Sequence, residues 1–149
     1  MPNSAYKVAI SYFILFSFLL LGSGAWIFAQ KIGFSYQSVL SYYLGDTATF
    51  ASPKTYEGVL KTILPHIFAF GLFVMVVLHF VIFTTKRNTK EFSVLIYLAF
   101  LSAFFEIFSP FMILEGFEFF AYIKIFSFFL FEGTVLYTLF ILFKSIFYN

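Results

Sequence analysis

The sequence predicts an all-α membrane protein, a bundle of four transmembrane helices with one short amphipathic helix between the first two. The first observation is composition: 62% of the 149 residues are hydrophobic and 11% are charged, whereas soluble domains carry about 25% charged residues. So few charges cannot cover a soluble domain, so the surrounding solvent must be lipid. The second observation is four apolar runs of about 20 residues, the length that spans a bilayer. Together they predict one transmembrane domain over residues 1–149.

The first apolar run lies near the N-terminus, where such a run is either a membrane helix or a signal peptide. Lys7 precedes the run, as in a signal peptide. The run is long for a signal, however, and bulky Ile27 stands two residues before Ala29, where a cleavage site needs a small residue. We therefore expect a retained membrane helix. The four predicted spans are about 8–29, 64–84, 92–114 and 125–147.

Positive charges predict the orientation of the bundle. The link between the second and third spans contains Lys86, Arg87 and Lys90, and Lys- and Arg-rich links face the cytoplasm. This predicts that both termini are inside (N-in/C-in) and that the chain is a multi-pass protein of a bacterial inner membrane. The charged residues of the predicted outer segments are mixed in sign: Lys31, Asp46, Lys54, Glu57, Lys61, Glu115, Glu118 and Lys124.

The outer segment over residues 30–63 contains a helical pattern of its own. Its apolar side chains recur with the spacing of one helical stripe, flanked by Ser35 as an N-cap and Gly45 after the C-terminus. The stripe consists of Tyr36, Val39, Leu40, Tyr43 and Leu44. We expect a short amphipathic helix on the membrane surface with its tyrosines at headgroup level; packing of the stripe against protein is the alternative.

The next helix is expected to start at Ser52-Pro53, because serine suits the N-cap and proline suits the first helical position. It should continue into the second span. Pro65 interrupts that span, and proline removes a backbone donor and displaces the carbonyl of Lys61, four residues earlier. A kink is therefore expected immediately before His66.

His66 and His79 are the only histidines and the first candidate site residues. An imidazole in hydrocarbon needs a partner, so intramembrane histidines indicate function. They are thirteen residues apart, which places them roughly 20 Å apart along a helix and about 140° apart around it. They cannot ligate one haem together. Each would bind a haem b or another metal, His79 above all, only with a second ligand from Met75, Met112 or a partner. Hydrogen bonding between helices, quinone contact and proton transfer are the alternatives.

Glu106 and Glu132 are the second candidate pair. Counted from the outer ends of the third and fourth spans, each lies roughly 10–12 Å deep, so the two carboxyl groups can meet and share protons. Such a pair would handle protons or ions. The alternative is that each is protonated and bonded to a neighbouring Ser, Thr or carbonyl. Ser109-Pro110, one turn after Glu106, should free backbone carbonyls nearby.

Several classes of function are excluded. The chain has no cysteine, which rules out disulfides, iron–sulfur clusters and covalently attached haem. A net charge of +2 gives no reason to expect nucleic acid as a partner. No nucleotide-binding, metalloprotease or serine-hydrolase motif is present. We therefore expect no stand-alone catalytic activity.

The segment YYLGDTATFASPKTYEGVL with the following PHIFAFGLFVMVVLHF resembles a proteobacterial family of small four-helix membrane proteins without an assigned activity. The resemblance covers about 70 residues. It implies four spans and marks His66 and His79 as the positions to watch. If the chain is an accessory protein, the outer segment with Tyr43, Asp46, Lys54 and Glu57 is expected to dock a partner. The chain differs from the family pattern at one position, because Leu64 occupies the place of the first of the family's histidines. The matched residues are Tyr43, Gly45, Asp46, Pro53, Lys54, Glu57, Leu60, His66, His79, Glu106, Ser109 and Pro110.

The resulting functional hypothesis is a small membrane subunit of a respiratory or redox complex. It would bind haem b or contact quinone through His66 and His79, with Glu106 and Glu132 handling protons. A weaker likeness to the membrane subunits of b-type cytochromes is at the level of fold alone. The alternatives are a non-catalytic accessory or assembly protein and a small transporter or ion-conducting unit. The expected partners are the lipid bilayer and other membrane subunits or copies of the chain.

Overall fold

The computed structural model describes residues 4–48, 50–84, 86 and 88–148 and is all-helical within them. Arg87, one of the charges used to predict orientation, lies outside the described residues. Beside the helices there is one isolated antiparallel bridge, between Asp46 and Ala51. The five helices are α1 Ser4–Lys31, α2 Tyr36–Leu44, α3 Tyr56–Val81, α4 Lys90–Leu114 and α5 Phe120–Phe147.

Four of the helices described, α1, α3, α4 and α5, are long and apolar enough to cross a bilayer. Only helices and closed barrels satisfy their backbone hydrogen bonds in hydrocarbon. The prediction of a multi-pass helical membrane protein is therefore confirmed. Large apolar side chains such as Phe16, Phe68 and Phe126 are exposed on the outer surface of the bundle, as lipid contact requires. The N-in/C-in orientation stays a prediction.

Buried side chains form two clusters along the bundle. The smaller cluster lies at the end that contains α2 and the turn between α4 and α5, which we call the α2 end. It includes Val39, Ile63, Ile113 and Ala121. The larger cluster fills the rest of the bundle and draws on four helices: Ile10 and Ile14 of α1, Val74 and Val77 of α3, Ala99 and Ala103 of α4, and Val135 and Leu139 of α5.

Helix α2 packs against protein rather than lying free. Ser35 caps it: the Ser35 hydroxyl accepts from Ser38 N–H, and the Ser38 hydroxyl accepts from Ser35 N–H. Its stripe residues Val39, Leu40 and Tyr43 are buried among side chains of α3, α4 and α5. The packing alternative therefore describes the stripe better than an exposed position on the membrane surface. Whether α2 lies on the outer side stays a prediction.

Helix α3 begins three residues later than the Ser52-Pro53 signal indicates. The N-cap is Thr55, whose hydroxyl accepts from Gly58 N–H. The preceding residues are held extended instead, because Lys54 N–H donates to the Tyr43 carbonyl at the end of α2. This backbone bond keeps Pro53 out of the helix. The expectation of a helix starting at Ser52-Pro53 is therefore wrong.

The loop between α2 and α3 turns at Gly45, which has a φ of +83°. A Cβ here would lie 2.6 Å from the Ala51 carbonyl oxygen and 2.8 Å from the Pro53 nitrogen. Only glycine fits this close approach and this left-handed conformation without strain. The turn lets Asp46 and Ala51 exchange two backbone hydrogen bonds of 3.0 Å.

The end of the bundle away from α2 is closed by Glu91 in the first turn of α4. Its carboxylate accepts from Lys86 Nζ at 2.6 Å and from Tyr137 OH of α5 at 2.6 Å. Thr89 caps α4 through Phe92 N–H. These bonds tie the α3–α4 link to α5.

Candidate functional site

The main polar feature of the bundle is a buried ion pair between α4 and α5. Lys124 Nζ lies 2.5 Å from Glu106 Oε1, and the two side chains are only 7% and 10% exposed. The Ser127 hydroxyl, one turn beyond Lys124, lies 3.3 Å from the other carboxylate oxygen, Oε2, and 3.1 Å from the Lys124 carbonyl oxygen, and its single hydrogen is donated to one of the two at a time. Both oxygens of Glu106 therefore have a donor within hydrogen-bond distance, as a buried charge requires.

Pro110 explains why the lysine binds at this level. Proline has no N–H, so it cannot donate to the carbonyl four residues earlier, which is that of Glu106. Lys124 Nζ donates to this carbonyl at 2.7 Å as well as to the Glu106 side chain. One ammonium group thus satisfies both the carboxylate and the backbone oxygen that the proline leaves unpaired. Ser109, which precedes the proline, donates to the Phe105 carbonyl.

Lys124 is the member of the ion pair that the sequence placed outside the fourth span. The fourth span was expected to begin near residue 125, which left Lys124 among the charges of an outer segment. Helix α5 begins at Phe120, so Lys124 lies in its second turn and points at α4. A signal was present: Lys124 begins a stripe with the spacing of one helical face, whose members are all buried. They are Lys124, Ser127, Phe131, Thr134 and Thr138.

Helix α1 covers the ion pair from a third side. The Lys124 ammonium lies 5.9 Å from the centroid of the Phe28 ring, close enough for a cation–π attraction. The Phe28 ring stacks on Phe128 of α5 with centroids 4.2 Å apart. Aromatic rings therefore separate the charges from the surface on the α1 side.

Glu132 does not share a hydrogen bond with Glu106. It is half-buried and faces α1, since a Cβ on Gly24 would lie 3.9 Å from its Oε1. Within the part of the chain that the structure describes, the Glu106 carboxylate is bonded to Lys124 and Ser127 instead. The two carboxylates lie within electrostatic range, but the shared-proton pair expected from their depth is replaced by an ion pair.

His66 is exposed on α3, just after Pro65. Its Nδ1 lies 2.6 Å from the Thr62 carbonyl oxygen. A carbonyl only accepts, so Nδ1 carries the hydrogen and Nε2 of the neutral ring is left as an acceptor. The ring packs edge-on against Phe70 with centroids 5.7 Å apart. His66 also lies within electrostatic range of Glu106.

His79 is exposed two residues before the end of α3. Its neighbours are the rings of Phe80 and Phe83, with centroids 6.5 and 6.2 Å from its own, and its imidazole forms no hydrogen bond to any other described residue. Met75, one turn earlier, is exposed on the same side of α3. Helix geometry therefore separates the two histidines, and neither imidazole points into the core.

Over residues 4–48, 50–84, 86 and 88–148, no group of three or more His, Asp or Glu side chains is arranged to hold a metal ion. Met112, the other internal thioether, is half-buried on α4. A haem or metal at His79 stays a prediction.

Of the residues matched in the outer segment, Asp46, Lys54 and Glu57 build the connection to α3. The Asp46 side chain accepts from Ala48 N–H at 2.9 Å, and Lys54 Nζ lies 4.8 Å from the Tyr42 ring centroid. Glu57 pairs with Lys61 at 2.7 Å on an exposed turn. Asp46, Lys54 and Glu57 therefore each have a contact with a neighbouring residue of the same segment.

Tyr43 differs from these residues because its side chain is buried. Its side chain is 6% exposed, and burial followed by the charge of Glu106 raises the pKa of its hydroxyl. Its ring meets that of Tyr42 edge-on, with centroids 4.9 Å apart. Tyr43 thus packs α2 into the smaller buried cluster, with side chains of α3, α4 and α5.

Two tyrosine–glutamate bonds close the α2 end of the bundle. Tyr36 OH of α2 donates to Glu118 Oε2 at 3.0 Å, and Tyr56 OH of α3 donates to Glu115. Tyr36 also stacks on Tyr122, with ring centroids 4.5 Å apart. The turn between α4 and α5 is therefore fixed to both neighbouring helices.

A comparison with protein-family models matches residues 33–149, which include α2 to α5 and therefore the buried ion pair. The chain belongs to the Aq_1264_TM family of transmembrane helical domains. The match begins after α1. No curated protein and no solved structure matches the chain. Family membership supports the resemblance to a family of helical membrane proteins, while the proteobacterial origin and the likeness to cytochrome subunits stay predictions.

Proposed function

We propose that this integral membrane protein is a subunit of a larger membrane complex, whose partner contacts the face of α3 that carries His79. The observation that supports this is the exposed His79 imidazole, which has no hydrogen-bond partner among the described residues. A polar ring on a lipid-facing helix costs free energy unless another group satisfies it. A partner protein or a cofactor held with that partner supplies the missing group.

In the redox form of this proposal, His79 would hold a haem b together with a ligand from the partner, and the haem would supply electron transfer. Met75 would not complete the ligand set, since residues four apart on a helix lie on the same side. In this form of the proposal the partner supplies the second ligand. Electrons would pass between quinone and the partner, with this chain as a membrane anchor and ligand donor.

In the accessory form, a polar side chain of the partner bonds His79 and no cofactor is present. The same face of α3 is covered in both forms. A transporter built on a pair of free carboxylates has less support, because the Glu106 carboxylate is engaged by Lys124 and Ser127. The subunit proposal is the one that the exposed imidazole favours.

The test is purification from native membranes in a mild detergent, with the protein tagged. His79→Phe keeps an aromatic ring and removes both nitrogens. Tyr97→Phe is the matched control, because Tyr97 is exposed on α4 and also loses a single polar group. We expect a stoichiometric partner to accompany the wild-type protein and Tyr97→Phe but not His79→Phe.

Iron content and a reduced-minus-oxidised absorption spectrum of the same samples separate the two forms. An α-band that His79→Phe abolishes supports the redox form, and a partner without iron supports the accessory form. Equal recovery of the partner with all three proteins, or a wild-type protein that purifies alone, would contradict the proposal.

A further inference from the structure

The carboxyl group of Glu132 is a polar group inside the membrane for which the described chain provides no hydrogen bond. Glu132 lies near the middle of α5, which extends from Phe120 to Phe147. At 1.5 Å per residue, the two ends of the helix are roughly 18 and 22 Å away. Because α5 is one of the helices long and apolar enough to cross a bilayer, the carboxyl group lies at the depth of the hydrocarbon.

Open space surrounds this carboxyl group on the side of α1. A Cβ on Gly24 of α1 would lie 3.9 Å from Glu132 Oε1, and a Cβ on Gly133, the next residue of α5, would meet no atom beyond its own neighbours within 4 Å. Glu132 is half-buried, and its oxygens are not among the fully buried atoms without a partner, so they reach the surface of the bundle. We call the gap between Gly24 and Glu132 the α1–α5 seam.

Helix α1, which covers this seam, offers Glu132 no donor. Between Tyr12 and Lys31 the helix contains no ionisable residue. Over the described residues, the buried side-chain atom without a hydrogen-bond partner is the hydroxyl oxygen of Ser17, two turns before Gly24 on the same face of α1. This face of α1 therefore packs into the bundle without satisfying its own polar side chain or that of Glu132.

The other helices do not supply a counter-charge either. Among the described ionisable groups, Glu106 of α4 is the one in electrostatic range of Glu132, and its negative charge repels a second one. Lys124, two turns before Glu132 on α5, donates to the carboxylate and the carbonyl of Glu106. A carboxylate without a counter-charge is costly at this depth. The neutral acid, which binds a proton, is therefore the favoured form of Glu132.

We propose that Glu132 is a proton-binding site in the middle of the membrane, held as the neutral acid at neutral pH and reached through the α1–α5 seam. The proton comes from water and returns to water, and no other bond changes. The site lies on a different helix from His79, so it goes beyond the proposed subunit function and does not rest on it. A sodium ion or a donor group of a partner would satisfy the same carboxyl group, and the experiment distinguishes both from a proton.

The experiment is covalent labelling of the full chain in phosphatidylcholine nanodiscs with N,N′-dicyclohexylcarbodiimide, an apolar reagent that reacts with protonated carboxyl groups. A carboxyl oxygen adds to the carbodiimide carbon, the acid proton moves to a carbodiimide nitrogen, and acyl transfer to nitrogen gives a stable adduct from which nothing leaves. Intact mass and peptide mapping locate the adduct. We expect one adduct per chain, on Glu132 and not on the ion-paired Glu106; a wild-type protein without an adduct on Glu132 would overturn the proposal.

Two pairs of variants test the site and its access. Glu132→Gln should abolish the adduct, whereas the matched control Glu57→Gln, which removes an exposed carboxylate, should label like the wild-type protein. Gly24→Val fills the seam beside Oε1 and should slow labelling severalfold. Gly22→Val is its matched control, because a Cβ on Gly22 meets no atom within 4 Å, and its labelling rate should not change. Equal rates for the two valine variants would overturn access through the seam.

The pH dependence of labelling identifies the bound species. Only the acid form reacts, so above the pH at which Glu132 ionises the rate should fall about tenfold per pH unit. A rate that is equal at acid and alkaline pH would overturn the proposal. At constant pH, replacing choline chloride with sodium chloride should have no effect; slower labelling in sodium would indicate a cation site instead of a proton site and would overturn it too.

Labelling in native membranes tests the remaining alternative. We expect the same adduct there as in nanodiscs. An adduct in nanodiscs but not in native membranes would show that a partner's donor occupies Glu132, which would overturn the proton site and leave the subunit function standing. Circular dichroism establishes that each variant is folded, and the pH profile of the wild-type protein decides the proposal if Glu132→Gln does not fold.

Discussion

Replacement of Lys124 by methionine is expected to destabilise the bundle by about 4 kcal/mol. Methionine keeps a long apolar side chain and removes the ammonium group. Glu106 then loses the donor to its Oε1 and the donor to its carbonyl. The remaining bond from Ser127 is long, at 3.3 Å, so it compensates little. Removing one partner of a buried ion pair typically costs about 3–5 kcal/mol. Because the remaining bond is weak, we expect a loss of stability within that range.

An exposed pair in the same protein shows that burial, rather than distance, determines this magnitude. Glu57 and Lys61 are 2.7 Å apart but 74% and 76% exposed in their side chains. Exposed pairs four residues apart on a helix contribute about 0.3–0.5 kcal/mol. Lys61→Met is therefore the matched control for Lys124→Met and should change the free energy of unfolding by less than about 0.5 kcal/mol.

The assay is unfolding by SDS titration in mixed micelles, followed by circular dichroism, for a double-mutant cycle of Lys124→Met and Glu106→Gln. The double variant has no buried charge and should be within about 1 kcal/mol of the wild-type protein, because replacing a whole buried pair is often neutral. Glu106→Gln leaves the Lys124 ammonium unpaired and should cost about as much as Lys124→Met, so the coupling energy of the cycle should be about 7 kcal/mol. Additive effects of the two substitutions would refute the assignment of Lys124 as the partner of Glu106.

Three further changes follow from the same contacts. Ser127→Ala removes the donor to Glu106 Oε2 and should cost about 1–2 kcal/mol in the SDS titration; no loss of stability would show that this bond contributes nothing. Gly45→Ala places a Cβ 2.6 Å from a backbone oxygen at a φ of +83°. This should cost about 1–3 kcal/mol of folding free energy and lower the midpoint of thermal unfolding by several degrees. An unchanged midpoint would contradict the close approach. The hydrogen bond to Glu118 raises the pKa of Tyr36 above 10.0, so the stability that this bond contributes is present below pH 10 and is lost as the pH rises through the raised pKa. In Tyr36→Phe, the free energy of unfolding measured at several pH values should therefore fall less steeply at alkaline pH. An identical pH profile for the variant and the wild-type protein would argue against the bond.

The number and nature of the long helices could be predicted from local information alone. Each span is a run of apolar residues, and hydrocarbon admits only structures that satisfy their own backbone bonds. The capping hydroxyl of Ser35 acts within three residues of itself, so it too is visible in the sequence. The predicted start of α3 at Ser52-Pro53 was wrong because a contact with another helix competes with the local capping signal. The backbone bond from Lys54 to the end of α2 keeps residues 52–54 out of the helix, which begins at Tyr56.

The sequence by itself determined that this protein is a helical membrane protein and that His66, His79, Glu106 and Glu132 are its unusual polar residues. The tertiary structure decided which of these groups meet. It pairs Glu106 with Lys124, turns Glu132 toward α1 and leaves His79 on the surface of the bundle. The physical reason is that a side chain's partner depends on where its helix begins and how that helix is rotated against its neighbour. A helix that begins at Phe120 rather than near residue 125 converts an apparent loop lysine into the buried partner of Glu106.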